Sequence, residues 1–524
     1  MQRTAAIRFK SWASIAVAVM GLSACAENGP HVERHMIVDG LDATMINTVL
    51  IKGFGDTQDR AYQTPDIDTL FTAALRNLKA IDPAIRTSRA NGQISIDYNE
   101  QHIGDLRAPT DSIEAWSLLA IKAIVIARKT SPLLRKADEE LLYKAIFDGA
   151  LGTLDGFSRY ASFQEASRNR LLRDGVIGLG VRVETHPEGV QIQSIVVNGP
   201  AESAGLKIND IITHANGELL VYKPLSEVRR ILDGSAGDIT LTVQRPETSE
   251  LLTITATRDL VTPDTVTSSV NGGVLEIGVR SFNQRTAAGV EKAVNAARRE
   301  HDSKIKGIVL DLRGDPGGLL DQAIDIADLF INDGTIATLE GRHSGAHQYY
   351  AARRGDIAAG IPMAVIIDGK SASAAEVVAA ALQDNRRAVV VGTSSWGKGS
   401  VQTLLRLPNG GEIALTWAHV ATPRGAALHG LGLLPDVCLS GTPVSVGDVV
   451  GQVYASPSLS KDNRRLWRTP ADNPATHEAL RALCPAEPHP DRAVDLEVAR
   501  RIVSDPVLRA IALREDSPQL DTTP

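Results

Sequence analysis

Between about residues 260 and 440, short apolar runs alternate with segments of helical periodicity. This order limits the possible folds more than any other feature of the chain. Val274 to Val279, Ile305 to Leu312, Pro362 to Ile367 and Ala388 to Val391 read as strands. Ala287 to Arg299, Leu319 to Phe330 and a segment from about Ser373 to Gln383 read as helices. Strand, loop, helix, strand in succession favours an α/β core with a mostly parallel sheet. Ser400 to Leu407 and Glu412 to Val420, split by Asn409-Gly410-Gly411, read as a hairpin.

The 524 residues allow roughly three domains at about 150 residues each. Residues 25–172 form an N-terminal region that reads as mainly helical, with helical periodicity over Asp66 to Leu78, Ser112 to Ala127 and Asp138 to Leu154. Asn91 to Tyr98 alternates and predicts one short strand. Residues 173–259 change character. Leu179 to Val183, Val190 to Val196, Asp210 to Ala215 and Ile239 to Arg245 read as strands, Asn216-Gly217 as a turn and Leu225 to Leu232 as one helix. Residues 260–440 are the core described above. Residues 441–524 are rich in Pro, Asp and Ser and carry one expected helix, Leu496 to Leu513.

Residues 1–24 read as a targeting segment. Arg3, Arg8 and Lys10 precede an apolar stretch from Trp12 to Leu22, too short to span a bilayer comfortably. Leu22-Ser23-Ala24-Cys25 then sets small residues before a cysteine. That pattern resembles a bacterial lipoprotein signal, with Cys25 lipidated; an ordinary secretory signal is the alternative. An acyl anchor would tether the chain without crossing the membrane. Cys438 and Cys484 remain, either as a disulfide in an oxidising compartment or as two free thiols. Their spacing fits no zinc pattern, and the histidines lack metal-ligand spacing, so no metal or other cofactor is expected. The net charge is −7 with no long basic run, which argues against a nucleic-acid partner.

The chemistry concentrates around Ser371-Ala372-Ser373-Ala374-Ala375-Glu376 and Trp396-Gly397-Lys398-Gly399-Ser400-Val401-Gln402. Serine needs a base to act as a nucleophile, and Lys398 is the candidate. A neutral lysine near pH 7 requires a fall of roughly three pKa units, about 4 kcal/mol, which burial can supply. The rival reading of Ser373 is a helix cap, because Ser373-x-x-Glu376 is a capping box. Ser371 is a second nucleophile candidate. Lys398 could instead be a solvated loop lysine, and Gln402 a polar residue facing water. The run Asp311-Leu312-Arg313-Gly314-Asp315-Pro316-Gly317-Gly318, after a strand and before a helix, could offer backbone N–H groups to an oxyanion.

In combination, "LDGFSRY", "GPAESAGLKINDII", "DLRGDPGG", "SASAAE", "GKGSVQ", "TPRG" and "GLLPDV" resemble the carboxyl-terminal processing (tail-specific) serine peptidases of family S41, over roughly residues 138 to 440. The resemblance implies a crotonase/ClpP-like core carrying a PDZ domain. It implies Ser373 as nucleophile, Lys398 as general base, Gln402 as its orienting partner and Glu376 as a supporting acid. Ala374 with Gly317 or Gly318 would form the oxyanion hole. Gly178-Leu179-Gly180-Val181 would hold a substrate's terminal carboxylate, the peptide adding as a strand. The family pattern often has serine at Ala375, asparagine at Asp315 and phenylalanine at Trp396. The expectation is therefore an envelope endopeptidase, lipid-anchored and facing the periplasm, that acts on protein or peptide C-termini. The alternatives are a tail-binding adaptor without activity and a small-ester hydrolase.

Overall fold

In the computed structural model, residues 36–513 are described, apart from 111, 198, 247, 249, 302–303, 442–444, 456–465, 468–473 and 490–491. The expected targeting segment, residues 1–24, and Cys25 lie outside the described residues.

The core sheet has six strands in the order Val266–Asn271, Val274–Val279, Gly307–Asp311, Met363–Ile367, Val389–Gly392 and Val437–Cys438. The first pair is antiparallel and every other pair parallel. Alternate side chains serve opposite faces. Ile308, Leu310, Val365 and Ile367 pack with the helices Thr286–His301, Leu320–Phe330 and Ala374–Asp384. Val309, Ala364 and Ile366 turn the other way, onto Ala499 and Val503 of the helix Ala493–Ser504. Burial on both faces explains why these strands are apolar throughout rather than alternating.

The tail therefore supplies the second covering layer of the core. Its expected single helix is two, Ala493–Ser504 and Pro506–Leu513. Proline disfavours helix at the preceding residue, and Asp505 Oδ1 accepts the Val507 and Leu508 N–H groups at the new start. The helices Val446–Ala455 and Pro474–Arg481, not anticipated from the sequence, lie before them.

A second, antiparallel sheet runs in the order Gln348–Ala351, Thr335–Glu340, Glu412–Ala421 and Ser400–Arg406, and Arg159–Ala161 also pairs with Glu412–Ala421. The last two of the four are the expected hairpin; the first two were not legible. This sheet joins two cores. Ala418 and Val420 face the core built on the six-stranded sheet, whereas Leu405, Ile413 and Leu415 pack with Phe54, Trp116 and Phe147 of the N-terminal layer.

That layer contains the helices Ala43–Arg60, Ile67–Arg76, Ile113–Thr130 and Glu139–Leu151. Asp42, Asp66, Ser112 and Asp138 cap them by accepting first-turn N–H groups. The single strand expected near Tyr98 is the middle of a three-stranded meander, Ile85–Ala90, Gln93–Tyr98 and Gln101–Arg107.

The PDZ region has its own core, including Leu179, Ile192, Val228, Leu232 and Val243. Its sheet order is Val176–Gly178, Glu250–Val261, Gly237–Arg245, Ile211–Ala215, Gly189–Ile195 and Val181–His186. Glu250–Val261, a 12-residue strand not read from the sequence, carries the chain out of this region toward the core sheet.

Candidate active site

Ser373 stands where the chain leaves the strand Met363–Ile367 and enters the helix Ala374–Asp384. Its φ of +55° is an unfavourable conformation for a residue with a Cβ, held here by the packing of a wholly buried helix. The half-buried hydroxyl sits near the first-turn amide in the manner of a capping box, yet makes no cap hydrogen bond of ordinary geometry. The reverse arm is firm: Ser373 N–H donates to Glu376 Oε2 at 2.7 Å. Ser371 is different. Its buried hydroxyl donates to the Leu312 carbonyl at 2.8 Å and accepts Asp368 N–H at 2.9 Å, so it ties two loops together.

Glu376 is 0% exposed and lies between the serine and the lysine loop. Oε2 also accepts Lys398 N–H at 2.9 Å, while Oε1 accepts Gly397 N–H at 2.8 Å and the Ser395 hydroxyl at 2.5 Å. Burial raises its pKa, and these four donors oppose the rise. One carboxylate thus fixes the backbone at Ser373 and at Lys398 together. A further bond, Trp396 N–H to the Ser371 carbonyl at 3.0 Å, joins the same two loops.

The Lys398 amine lies 5.6 Å from the centroid of the Phe157 ring. Burial lowers its pKa below the usual lysine value, Arg159 adds to the fall, and Glu376 works against it. Among the described residues no hydrogen bond links this amine to the Ser373 hydroxyl. Gln402 Nε2 donates to Ser400 Oγ at 3.1 Å and to Thr416 Oγ1 at 3.3 Å, leaving Oε1 without a hydrogen bond among the described residues. Phe157 belongs to a motif noticed in the sequence, but its place beneath the lysine depends on a contact across 241 positions that no local pattern announces.

The glycine-rich loop closes the other side. A Cβ on Gly317 would fall 2.9 Å from both the Ala374 nitrogen and the Ser373 Cβ, so this position requires glycine. Gly317 N–H donates to Asp315 Oδ1 at 2.8 Å. The Gly318 and Ala374 N–H groups donate to no acceptor among the described residues. Arg313, 5% exposed, holds the base of the loop through Asp311 and through the His489 and Arg492 carbonyls of the tail.

In the PDZ region Val181 opens a strand at the sheet edge, and Leu179 is buried in the core. Gly180 has a φ of +73°, and Gly178 packs against the Asp233 carboxylate at the end of the helix Leu225–Asp233. Cys438 and Cys484 are joined by a disulfide with their Cα atoms 6.0 Å apart. Among the described residues no group of three or more His, Cys, Asp or Glu could hold a metal ion. Nor is any described helix long and apolar enough to cross a membrane.

An α/β core with a serine at a strained helix entrance, tied through one carboxylate to the loop of a half-buried lysine, can support serine peptidase chemistry. A family model described as peptidase family S41 matches residues 273–439, and a PDZ-domain model matches residues 191–245. The carboxy-terminal-processing protease of Bartonella bacilliformis is 37% identical over 303 residues, 57% of this chain and 70% of that one. A probable CtpA-like serine protease of Staphylococcus aureus is 33% identical over 314 residues, 59% of this chain and 62% of its own length. Among solved structures, the photosystem II D1 C-terminal processing protease aligns with a TM-score of 0.35 at 25% identity, over 71% of this chain and 93% of that one. The chain belongs to peptidase family S41, as a serine peptidase with a PDZ domain.

Proposed function

We propose that this protein is a lipid-anchored peptidase of the bacterial cell envelope, facing the periplasm, which cuts proteins at or from their C-termini through a Ser373–Lys398 dyad. The observation that carries the reading is the Glu376 carboxylate, which accepts the backbone N–H of Ser373 and of Lys398 from one oxygen. That clamp keeps the hydroxyl and the amine on neighbouring, rigid supports. Burial favours the neutral amine that a general base must be.

In this mechanism Lys398 Nζ takes the Ser373 proton as Oγ attacks the scissile carbonyl. The oxyanion meets the Ala374 and Gly318 N–H groups, Gly317 N–H being committed to Asp315. Collapse expels the amine leaving group, which receives the proton from the Lys398 ammonium. Water then releases the acyl group from Ser373 by the same relay. Gln402 Oε1 is left to orient the amine. The substrate tail adds to the edge strand Val181–His186, its carboxylate at Gly178 to Val181. Cys25 carries the anchor, and the Cys438–Cys484 disulfide fits an exported protein.

The test is cleavage of a model protein with an apolar C-terminal tail. Ser373→Ala and Lys398→Ala are each expected to cut it at least ~10³-fold more slowly while still binding the tail. Unchanged cleavage by Ser373→Ala would remove the assignment. A Cys25→Ser variant should leave the membrane fraction.

A further inference from the structure

Asp315 is 0% exposed, and among the described residues only one of its two carboxyl oxygens has a hydrogen-bond partner. Oδ1 accepts the Gly317 N–H at 2.8 Å, and Oδ2 is buried without a partner among them. The residue also joins both halves of the site, because its main-chain carbonyl accepts Ala372 N–H at 2.9 Å, one residue before the serine. The side chain fixes the Pro316–Gly317 peptide where the Gly317 backbone lies against Ser373 and Ala374, and the next peptide, which carries the open Gly318 N–H, is held from its other side by Phe282 N–H donating to the Gly317 carbonyl at 3.1 Å.

The nearby charges do not neutralise a carboxylate here. Arg280, after the strand Val274–Val279, donates to the Arg313 carbonyl at 3.0 Å, is half exposed and lies 3.7 Å from Asp311. Arg313, on the same loop, pairs with Asp311. From the strand Met363–Ile367, Asp368 accepts Gly314 N–H, and from the serine helix Glu376 is already met by four donors. Arg280 is therefore the one charge that acts on the Asp315 carboxyl, and it is half exposed and shared with Asp311.

We propose that Asp315 is a positioning residue which must be protonated for turnover: Oδ1 holds the Pro316–Gly317 peptide and so places the Gly318 N–H that follows it, Oδ2 carries the proton, and losing that proton shuts the oxyanion site. The inference rests on the Ser373–Lys398 reading above. A buried anion in contact with this loop opposes the negative charge that develops on the substrate oxygen, whereas the neutral acid does not. Burial pushes this carboxyl up to about 8, so it is mostly neutral at pH 7 and ionises as the pH passes that point. Activity rises as Lys398 loses its proton and falls as Asp315 loses its own, leaving a narrow working window.

The test is the pH profile of kcat for the full chain and for Asp315→Asn, a neutral isostere, on an acid-ended tail substrate. The wild type should lose kcat by about tenfold per pH unit above roughly pH 8, with KM nearly constant. Asp315→Asn should keep the rising limb and hold a plateau to roughly pH 9.5. Asp315→Ala, which frees the Gly317 peptide, should lose kcat at every pH while tail binding, measured in parallel, reports an intact fold. An unchanged falling limb in Asp315→Asn overturns the proposal, as does full activity in Asp315→Ala. Labelling with a fluorophosphonate and mapping the modified serine separates the two readings. A label away from Ser373 refutes the nucleophile, while the falling limb reports on Asp315 alone.

Discussion

Glu376 concentrates much of the site's order in one side chain. Three backbone N–H groups and one hydroxyl converge on its two oxygens inside a helix that water does not reach. A glutamine there has one acceptor oxygen, so its NH₂ group must face two donors. Glu376→Gln is expected to cost roughly 3 kcal/mol of stability, since buried donors lose their partner. It should also lower kcat by about 100-fold with little change in KM, because small displacements of the serine against the lysine matter more to chemistry than to binding. A thermal melt and a kcat against KM comparison check both, and an unmoved kcat would remove the clamp from the mechanism. At this scale the sequence was most informative. Ser373, Lys398 and Glu376 sit in two short motifs that stand out in the sequence, and the fold brings both to one carboxylate. The sequence named Asp315 as a departure, but its orphan oxygen depends on what surrounds it in three dimensions. Phe157 likewise gains its place only when a loop from the N-terminal layer comes under the lysine.

Among the secondary-structure elements, legibility followed burial. The core strands with both faces covered read clearly as apolar runs, as at Gly307–Asp311 and Met363–Ile367. Thr335–Glu340 and Glu250–Val261 mix threonine and charge with apolar residues, because one side of each meets solvent, and they did not stand out. The tail extends the chain beyond the core and its helix Ala493–Ser504 also covers one face of the core sheet. Its residues His489 and Arg492 brace the glycine-rich loop through Arg313. The Glu487 carbonyl accepts Gly369 N–H at 2.7 Å, His489 N–H reaches Asp368 at 2.7 Å, and Asp495, 0% exposed, meets His489 at 3.2 Å. The Cys438–Cys484 bond closes a loop with a sequence separation of 46 just before this brace. Chain-entropy arguments put the worth of such a closure near ~4 kcal/mol. Cys484→Ser should therefore loosen the tail first. Hydrogen exchange should quicken over Ala493–Ser504 while the helices of the N-terminal layer keep their protection, and kcat should fall as Arg313 loses its carbonyl partners. Equal protection in both regions of the variant would argue that the tail holds itself in place.

Across the whole molecule, the PDZ region and the catalytic core have separate apolar cores, so tail capture and cutting can be measured apart. In the function proposed above, a peptide adds to the edge strand Val181–His186 and the turn before it selects the terminus. An acid stands at that turn. Asp233 packs on Gly178, its pKa is raised by burial, and Arg229 is the charge that opposes the rise. A substrate carboxylate held by residues 178–181 would meet repulsion from ionised Asp233 and none from its protonated form. Because the shift is upward, the neutral form persists to a higher pH than for an ordinary aspartate, and capture strengthens as the pH falls through that range. The measurement is the Kd of an acid-ended tail peptide for the full-length Ser373→Ala protein between about pH 5 and 8, with an amidated peptide as control. Affinity for the acid-ended peptide should rise as the pH falls, affinity for the amidated one should stay level, and Asp233→Asn should bind the acid-ended peptide equally well throughout. A pH dependence shared by both peptides, or one that survives Asp233→Asn, would place the terminal carboxylate somewhere other than this loop.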